Sequence, residues 1–465
     1  MPRLITERSF FQFLKCPTWV YFDAHEPAKP HDPLLLKLMD DGLIDEAERR
    51  TLASRADLAE VKSEDMEEAF LETLAFMREG RQTIYHGTLI DKHWVGHPDV
   101  LEKVEGRSAF GNYYYVAADI KRSRIVRDDY QFQGCFYAEL LRIIQGAKPQ
   151  QGYVITPDGV ALSYLIEPFE AEFHLTLAEI EAIVAGKKPV HFLTSGCKQS
   201  PWFHECRRES EACDDLSILN RIWRQEVARL QKGGVRTIQE LARKSVHELQ
   251  RSVPDMDPGR LEWIRDQAVA LKDKRHIVRG RVRLPESRVE LYLDIESDPL
   301  RDFDYLFGVL IVENNRPAYR AFFADSIDDL PCIWKEFLSF LESYVDAPIF
   351  HYGNFEADVM RRFGELYGWS AFFDAGLDDR LVDLLYVMRP AIVFPLAFYS
   401  LKDIASYIGF SWRAHDASGA NSVLWFEEWL KTKDTALKKK ILDYNEDDVI
   451  ATWKVERWLR EQAGL

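Results

Sequence analysis

The spacing of apolar residues divides the chain into three parts. In residues 1–213, a short helical pattern and an acidic helical pattern around 40–80 are followed by strand patterns at 85–104 and 113–124. A helical pattern at about 131–144 comes next. This first part therefore combines helices with strands.

The second part, residues 214–284, is helical in pattern. Helices are predicted at 217–232, 237–253 and 260–274, with a turn at 254–259. We interpret this part as a small helical connector.

The third part, residues 285–465, returns to a mixed pattern. Strands are predicted at 289–296, 305–313, 318–324 and 347–352, and helices at 328–344, 354–367 and 436–461. A sheet with interspersed helices is typical of an α/β domain. A chain of 465 residues is about three times the length of an ordinary domain, so a division into several parts fits its length.

The composition is that of a soluble globular protein. Hydrophobic residues make up 46% of the chain and charged residues 29%, which excludes disordered, collagen-like and disulfide-scaffold proteins. No stretch approaches about 18 uninterrupted apolar residues, and the first residues lack the apolar core and cleavage site of a signal peptide. We therefore expect a cytoplasmic protein without membrane contact, in which the six cysteines are thiols or metal ligands.

The net charge is −16, but its sign changes along the chain, because the three parts carry −9, +6 and −13. Proteins that simply coat nucleic acid usually have a basic surplus, so the total argues against that class. The connector ends in a basic run made of Lys272, Lys274, Arg275, Arg279, Arg281 and Arg283. This run is suited to phosphate contact, and a solvated linker is the alternative.

Candidate metal ligands lie in the third part. Asp294 and Glu296 are two residues apart on an apolar strand, so both side chains leave the same face of the sheet. Such a pair is costly on a buried strand unless a divalent cation neutralises it, and oxygen ligands favour Mg²⁺ or Mn²⁺. A solvent-facing strand is the alternative. Tyr444 and Asp448 share one helix face, and Glu356 follows an aromatic residue where a strand gives way to a helix.

In this order these residues resemble the tyrosine-bearing branch of the DEDD exonuclease superfamily, which has a ribonuclease H-like fold. Its D-x-E motif corresponds to Asp294 and Glu296, and its Y-x-x-x-D motif corresponds to Tyr444 and Asp448. The second motif departs from the family, because Glu356 stands where an aspartate is usual. The resemblance covers about residues 288–460.

The resemblance implies two-metal hydrolysis of phosphodiesters, with four carboxylates as ligands of two cations. These are Asp294, Glu296, Glu356 and Asp448, with Asp358 as an alternative to Glu356. Tyr444 would orient the attacking water, because a phenol with a pKa near 10 is a poor base. A plain core aromatic is the alternative for Tyr444.

A second group of candidates lies in the first part. Asp99 begins one predicted strand, and Asp119 and Lys121 end the next, where they share a face. A carboxylate from each strand can hold one cation while Lys121 polarises the water or the scissile phosphate. A simple buried ion pair is the alternative. Gln133 and Tyr137 follow on the next helix.

This arrangement resembles the RecB-like branch of the PD-(D/E)XK nucleases, where G-x-P-D, (D/E)-x-K and Q-x-x-x-Y occur in this order. All three motifs are present, at 96–99, 119–121 and 133–137. The resemblance implies a restriction-endonuclease-like α/β domain over residues 1–213. It also implies catalytic roles for Asp99, Asp119, Lys121, Gln133 and Tyr137, with metal binding by the two aspartates. His86 corresponds to a further metal-binding histidine of some relatives, and a structural histidine is the alternative.

Many RecB-like relatives hold a [4Fe–4S] cluster with one early cysteine and a late C-x₂-C-x₅-C group. The counterparts in this chain are Cys16, Cys197 and Cys206. Ser200 stands at the middle position, so the cluster that the resemblance implies needs Cys213 or His204 as its fourth ligand. A zinc site and free thiols are the alternatives.

Both resemblances together cover nearly the whole chain and are shared with bacterial predicted nucleases that join these two domains. They imply a metal-dependent DNA nuclease acting on single strands or ends, with 3′-to-5′ exonuclease activity in residues 285–465. An RNA-processing exonuclease is one alternative. A nucleic-acid-binding scaffold with one decayed site is another, because of Glu356 and Ser200.

Overall fold

The computed structural model describes residues 3–27, 29–30, 55, 57–121, 125–156, 159–299, 302–370, 373, 379–414 and 418–463. It divides into two compact units, Met1–Arg208 and Glu209–Leu465. The connector lies inside the second unit, and the domain boundaries at 213 and 284 stay a prediction. Two parts of the predicted patterns, 40–54 with 56 and 122–124, lie outside the described residues.

The first unit combines short and long strands with helices. Its strands are β1 (Ile5–Thr6), β2 (Leu58–Glu60), β3 (Thr83–Tyr85), β4 (Leu89–Asp91), β5 (Trp94–Gly96), β6 (Val100–Ser108), β7 (Gly111–Ile120), β8 (Gln151–Ile155) and β9 (Ala161–Leu165). Its helices are α1 (Glu7–Lys15), α2 (Pro17–His25), α3 (Met66–Glu79), α4 (Asp128–Gln145) and α5 (Glu167–Val184), and α6 (Phe203–Ala212) begins at its end.

Six strands form the main sheet of this unit, in the order β2-β3-β6-β7-β8-β9. The pairs β2–β3 and β7–β8 are parallel and the other neighbours are antiparallel. Helix α4 packs against β7, α1 and α5, and Phe10, Phe136 and Phe173 lie in the core that these elements enclose. The sheet thus brings the start of β6 beside the end of β7, where Asp99 and Asp119 lie.

The single strand pattern predicted at 85–104 is wrong, because the structure breaks this segment into β3, β4, β5 and the first half of β6. His86 and Lys92 have positive φ angles of 55° and 56°, and the chain turns at both. The apolar residues occur as short pairs at 89–90, 94–95 and 100–101, and the prediction joined these pairs into one strand because it missed the turns between them.

The second unit contains the connector and a larger mixed domain. Its strands are β10 (Ile277–Val278), β11 (Val289–Asp298), β12 (Phe303–Glu313), β13 (Arg316–Phe323), β14 (Ile349–His351), β15 (Leu381–Asp383) and β16 (Ile392–Val393). The connector helices are α7 (Arg224–Lys232), α8 (Ile238–Arg243), α9 (Val246–Ser252) and α10 (Pro258–Asp273). The later helices are α11 (Leu330–Glu342), α12 (Phe355–Tyr367), α13 (Leu384–Met388), α14 (Leu401–Tyr407), α15 (Gly419–Thr432) and α16 (Thr435–Ala463).

The main sheet of the second unit has the strand order β13-β12-β11-β14-β15. The first three strands are antiparallel neighbours, whereas β14 and β15 run parallel to β11. Leu291, Leu293 and Ile295 of β11 face one core, and Tyr292 faces a second core to which α16 and α14 contribute. Alternation along β11 therefore places Asp294 and Glu296 on the face that α16 covers.

The connector differs from its prediction at two points. The helix predicted at 217–232 begins only at Arg224, where the Trp223 amide donates to the Glu226 carboxylate at 2.9 Å. The helix predicted at 237–253 is two helices, because Ser245 and Glu248 form a capping box that starts α9.

Within the part of the chain that the structure describes, no helix has the length and apolar character to span a membrane.

Candidate active sites

Three carboxylates converge in the second unit. Asp294 and Glu296 come from β11, and Asp448 comes from α16. Carboxylate oxygens of these three residues all lie within 4.8 Å of one another. The structure thus brings together three of the four metal ligands predicted for this domain.

Neighbouring side chains hold these carboxylates in place. Asn445 Nδ2 donates to Asp294 Oδ2 at 2.7 Å, and its Oδ1 accepts from the Tyr319 hydroxyl at 2.8 Å. Trp412 Nε1 donates to Asp448 Oδ1 at 2.6 Å. Hydrogen bonds of this kind fix the direction of the oxygens that a cation would use.

A glycine in β12 makes room for Asn445. Gly308 pairs with Asp294 across the strands, and a Cβ at position 308 would lie 1.5 Å from Asn445 Oδ1. The Asn445 amide occupies the space above this glycine. Any larger residue at position 308 must therefore displace the side chain that orients Asp294.

We expect Gly308→Ala to destabilise the protein by about 1–3 kcal/mol, the range found for overpacked interiors. The free energy of unfolding in denaturant measures this effect. Asn445→Ala removes the clashing oxygen, so the Gly308→Ala penalty should shrink in that background. An equal penalty in both backgrounds would contradict the assigned contact.

The three carboxylates repel one another. Burial, then Asp448, Glu296 and Glu356, raise the pKa of Asp294 well above its usual value. Burial and Asp448 raise the pKa of Glu296 to about 8, and burial raises the pKa of Asp448 to about 6 despite the nearby Lys402. A divalent cation would remove this penalty, so the donor set fits Mg²⁺ or Mn²⁺.

Glu356 borders this group from the first turn of α12. The residue is buried, and its Oε2 has no hydrogen-bond partner among the described residues. His351 Nδ1 lies 3.7 Å from this oxygen, too far for a hydrogen bond. Glu356 raises the pKa of Asp294 but is not among the three carboxylates that lie within 4.8 Å of one another. A buried carboxylate oxygen near this group is suited to a second cation. The alternative ligand, Asp358, is exposed and forms an ion pair with Arg361 at 2.9 Å.

Tyr444 lies against the same group. Its ring is buried, its hydroxyl interacts with the Asp448 carboxylate, and Lys402 Nζ lies 4.8 Å from the ring centre. Burial, then Asp448, raises the pKa of Tyr444 above its usual value. The phenol therefore stays protonated at neutral pH and is suited to orienting a water molecule rather than accepting its proton.

The predicted residues of the first unit also come together. The Ile120 amide donates to Asp99 Oδ2 at 2.8 Å, and the Asp99 amide donates to Asp119 Oδ1 at 3.3 Å. Lys121 Nζ lies 3.8 Å from Asp119 Oδ2, and both side chains are buried. An ammonium group and two carboxylates therefore share the edge where β6 begins and β7 ends.

The helix α4 adds the last two predicted residues. Gln133 Nε2 donates to the Tyr137 hydroxyl at 2.8 Å, which donates to the His97 carbonyl at 3.2 Å. Burial, then Asp119, Glu7 and Asp99, raise the pKa of Tyr137 well above its usual value. Gln133 and Tyr137 therefore pack beside the acidic edge.

Glu7, in the first turn of α1, is a candidate that sequence reasoning missed. Its Oε2 is buried and has no hydrogen-bond partner among the described residues, and its Oε1 lies 3.6 Å from His97 Nδ1. A lone acid so far from the motifs carries no sequence signal. The imidazole of His86, by contrast, is exposed and stacks on Tyr85 with ring centres 3.7 Å apart.

Three of the predicted cysteine ligands are buried together. The sulfur atoms of Cys16 and Cys197 lie 3.2 Å apart, and Cys206 interacts with Cys16. Gly196 permits this approach, because a Cβ there would lie 2.6 Å from the Lys15 carbonyl. The Cys197 thiol lowers the pKa of Cys16, but Cys206 and burial outweigh it and raise that pKa to about 11.

The two residues predicted as a fourth ligand, Cys213 and His204, are both exposed, whereas the three thiols are buried. Cys213 is exposed and lies just after the end of α6, in the second unit. His204 is exposed on the opposite side of α6 from Cys206. Ser200 is buried, and its hydroxyl accepts from the Trp202 amide at 3.1 Å. The three buried thiols are one thiolate short of a Cys₄ cluster, and the fourth ligand stays a prediction.

Comparison with known proteins identifies one part of the chain. The search of curated proteins found no significant match. Residues 291–460 match the model of the RNase_H superfamily, and this range contains all five predicted catalytic residues of the second unit. Residues 291–460 therefore form an RNase H-like domain, and membership of this superfamily supports a nuclease.

Proposed function

We propose that the protein is a metal-dependent nuclease that hydrolyses DNA phosphodiesters and removes nucleotides from 3′ ends at the site of the second unit. The observation that carries this proposal is the convergence of Asp294, Glu296 and Asp448 within 4.8 Å in an RNase H-like domain. Burial and mutual repulsion raise the pKa values of these acids, and bound divalent cations would neutralise them and supply the chemistry of a nuclease.

The side chains of this site would have three different roles, which are metal binding, positioning of the carboxylates and orientation of water. Asp294, Glu296, Asp448 and Glu356 would hold Mg²⁺ or Mn²⁺, which activates water and stabilises charge on the phosphate. Asn445 and Trp412 fix the carboxylates, and Tyr444 orients the attacking water through its protonated hydroxyl.

The same proposal includes a second nuclease site in the first unit, of the RecB-like PD-(D/E)XK kind. Asp99 and Asp119 would bind a cation, and Lys121 would polarise the water or the phosphate. Its support is the shared edge at which these three residues meet, with Gln133 and Tyr137 packed beside it.

The basic end of the connector supports a nucleic-acid substrate. Lys272, Lys274, Arg281 and Arg283 are exposed. Arg279 is neutralised, because Asp266 and Glu262 accept from its guanidinium at 2.6 and 3.0 Å. The remaining cations are placed to contact the phosphates of a strand.

Matched DNA and RNA oligonucleotides of equal length, with free or phosphorothioate-blocked 3′ ends, test this proposal. We expect mononucleotides from unblocked DNA in Mg²⁺ or Mn²⁺ and none in EDTA. Preference for RNA would overturn the assigned substrate. Binding without cleavage in either metal would replace the nuclease with a nucleic-acid-binding scaffold.

A further inference from the structure

A pocket of about 700 Å³ lies in the second unit, between the connector and the end of α13. It is lined mainly by three arginines and three aromatic residues, which are Arg221, Arg260, Arg389, Trp223, Trp263 and Tyr386. None of them belongs to the carboxylate site described above. Cations and aromatic rings around one cavity suit an anion that carries a flat group.

Two positive charges in this pocket have no carboxylate ion-pair partner among the described residues. Arg260 is neutralised, because its Nε donates to Glu226 at 2.7 Å. No described carboxylate forms an ion pair with Arg221 or Arg389, and Arg389 Nε is buried without a hydrogen-bond partner. Burial, then Arg221, lowers the pKa of Arg389, so the two guanidinium groups repel each other.

The carboxylate that acts on Arg389 is already engaged elsewhere. Asp383 raises the pKa of Arg389, but its Oδ1 accepts from the amides of Gly353, Leu385 and Tyr386 at 2.9, 2.8 and 3.2 Å. A phosphate can accept from two guanidinium groups at once. A bound phosphate would therefore give Arg221 and Arg389 the negative partner that the described side chains of the pocket do not provide.

Two exposed aromatic rings of the pocket offer surfaces on which a base could stack. Trp223 is 65% exposed and Tyr386 is 76% exposed. Exposed aromatic side chains beside uncompensated cations are the platform on which single-stranded bases stack. The bases of a duplex are already stacked within it, so a single strand is the favoured form.

A hydrogen bond of Asp383 connects the segment that carries Arg389 to the loop before Glu356. Asp383 begins α13 and also binds the Gly353 amide, in the loop that leads to Glu356. Arg389 follows Asp383 by six residues, about 9 Å along a helix. Stacked nucleotides repeat about every 3.4 Å, so one strand can reach both places.

We propose that this pocket binds one nucleotide of a single-stranded substrate, with the phosphate held by Arg221 and Arg389 and the base stacked on Trp223 or Tyr386. The inference rests on the proposed function, since the same strand would enter the carboxylate site. It adds a binding subsite outside the catalytic residues.

Binding of a fluorescent single-stranded oligonucleotide to the full-length chain, measured by anisotropy in EDTA, tests the subsite. We expect Arg221→Ala/Arg389→Ala to weaken binding at least about tenfold, and the slope of log K against log salt to fall by about 0.7 per lost phosphate contact. Trp223→Ala should weaken binding about tenfold with little change in slope. Arg236→Ala/Arg251→Ala, which removes two exposed connector arginines outside the pocket, is the matched control.

Binding by the Arg221→Ala/Arg389→Ala variant that equals the control would overturn the subsite, even if the wild type cleaves DNA. Pocket-dependent binding by a protein that cleaves nothing would retain the subsite and overturn the nuclease. Photo-crosslinking with an iodouracil oligonucleotide gives an independent readout. Crosslinks at Trp223 or Tyr386 support the pocket, and crosslinks confined to other peptides contradict it.

Discussion

Replacing Asp294 with asparagine should lower the rate of nucleotide release from DNA 3′ ends by about three orders of magnitude or more. Asp294 belongs to the three carboxylates within 4.8 Å, and Asn445 already fixes its Oδ2. A neutral amide has the same shape but cannot offset the charge of a cation. Bound cations contribute several kcal/mol to phosphoryl chemistry, and each 1.36 kcal/mol is tenfold in rate.

Release of mononucleotides under single-turnover conditions, in saturating Mn²⁺, measures this effect. Asp328→Asn makes the same chemical change at an exposed position and should match the wild type. The unfolding temperature without metal should not fall in Asp294→Asn, because one of the mutually repelling acids is gone. In the Asp119→Asn/Lys121→Met background, which lacks the proposed site of the first unit, a loss of less than tenfold on Asp294→Asn would show that Asp294 does not hold the catalytic cation.

The long periodic segments of the second unit could be predicted from the sequence. Strands expected at 289–296 and 305–313 appear as Val289–Asp298 and Phe303–Glu313, and the final helix appears as Thr435–Ala463. In these segments a single period persists over many residues, and burial on both sides of β11 enforces it. The bounds of short strands such as β4 and β5 depend on turns, and the periodicity of apolar residues does not reveal turns.

The candidate metal ligands could be found because their spacing is local. Asp294 and Glu296 follow the period of a strand, and Tyr444 and Asp448 follow that of a helix. What positions them is not local, since Tyr319 reaches Asn445 from 126 residues away. No pattern within one element predicts such a contact.

The position of Lys402 beside the three acids and the exposure of Cys213 could not be predicted from the sequence. Lys402 approaches three acids from α14, which lies on another segment of the chain. Cys213 satisfies a count of cysteines, but it is exposed, whereas Cys16, Cys197 and Cys206 are buried. A count of residue types does not reveal which of the residues are buried together.

Replacing Lys121 with methionine in the Asp294→Asn background should lower the remaining metal-dependent cleavage of DNA by about 10²- to 10³-fold. If the first unit holds the proposed second nuclease site, we expect it to supply the cleavage that persists in that background. Lys121 Nζ lies 3.8 Å from Asp119 Oδ2 at the edge where Asp99 also lies, so methionine removes the positive charge there. Loss of one group that stabilises developing charge typically costs this much in rate, about 2.7–4 kcal/mol.

Folding and catalysis can be separated at this position. Lys121→Met leaves the buried Asp119 without its ammonium partner, which typically costs about 3–5 kcal/mol of stability, whereas Asp119→Asn/Lys121→Met removes both charges. The double change should restore the unfolding temperature but not the cleavage. Lys187→Met breaks an exposed ion pair with Glu179 and is the control for loss of a lysine. An active first unit predicts that Asp294→Asn still cleaves DNA and that adding Lys121→Met lowers this cleavage. No cleavage in Asp294→Asn, or no decrease on adding Lys121→Met, would remove the second nuclease site from the proposal.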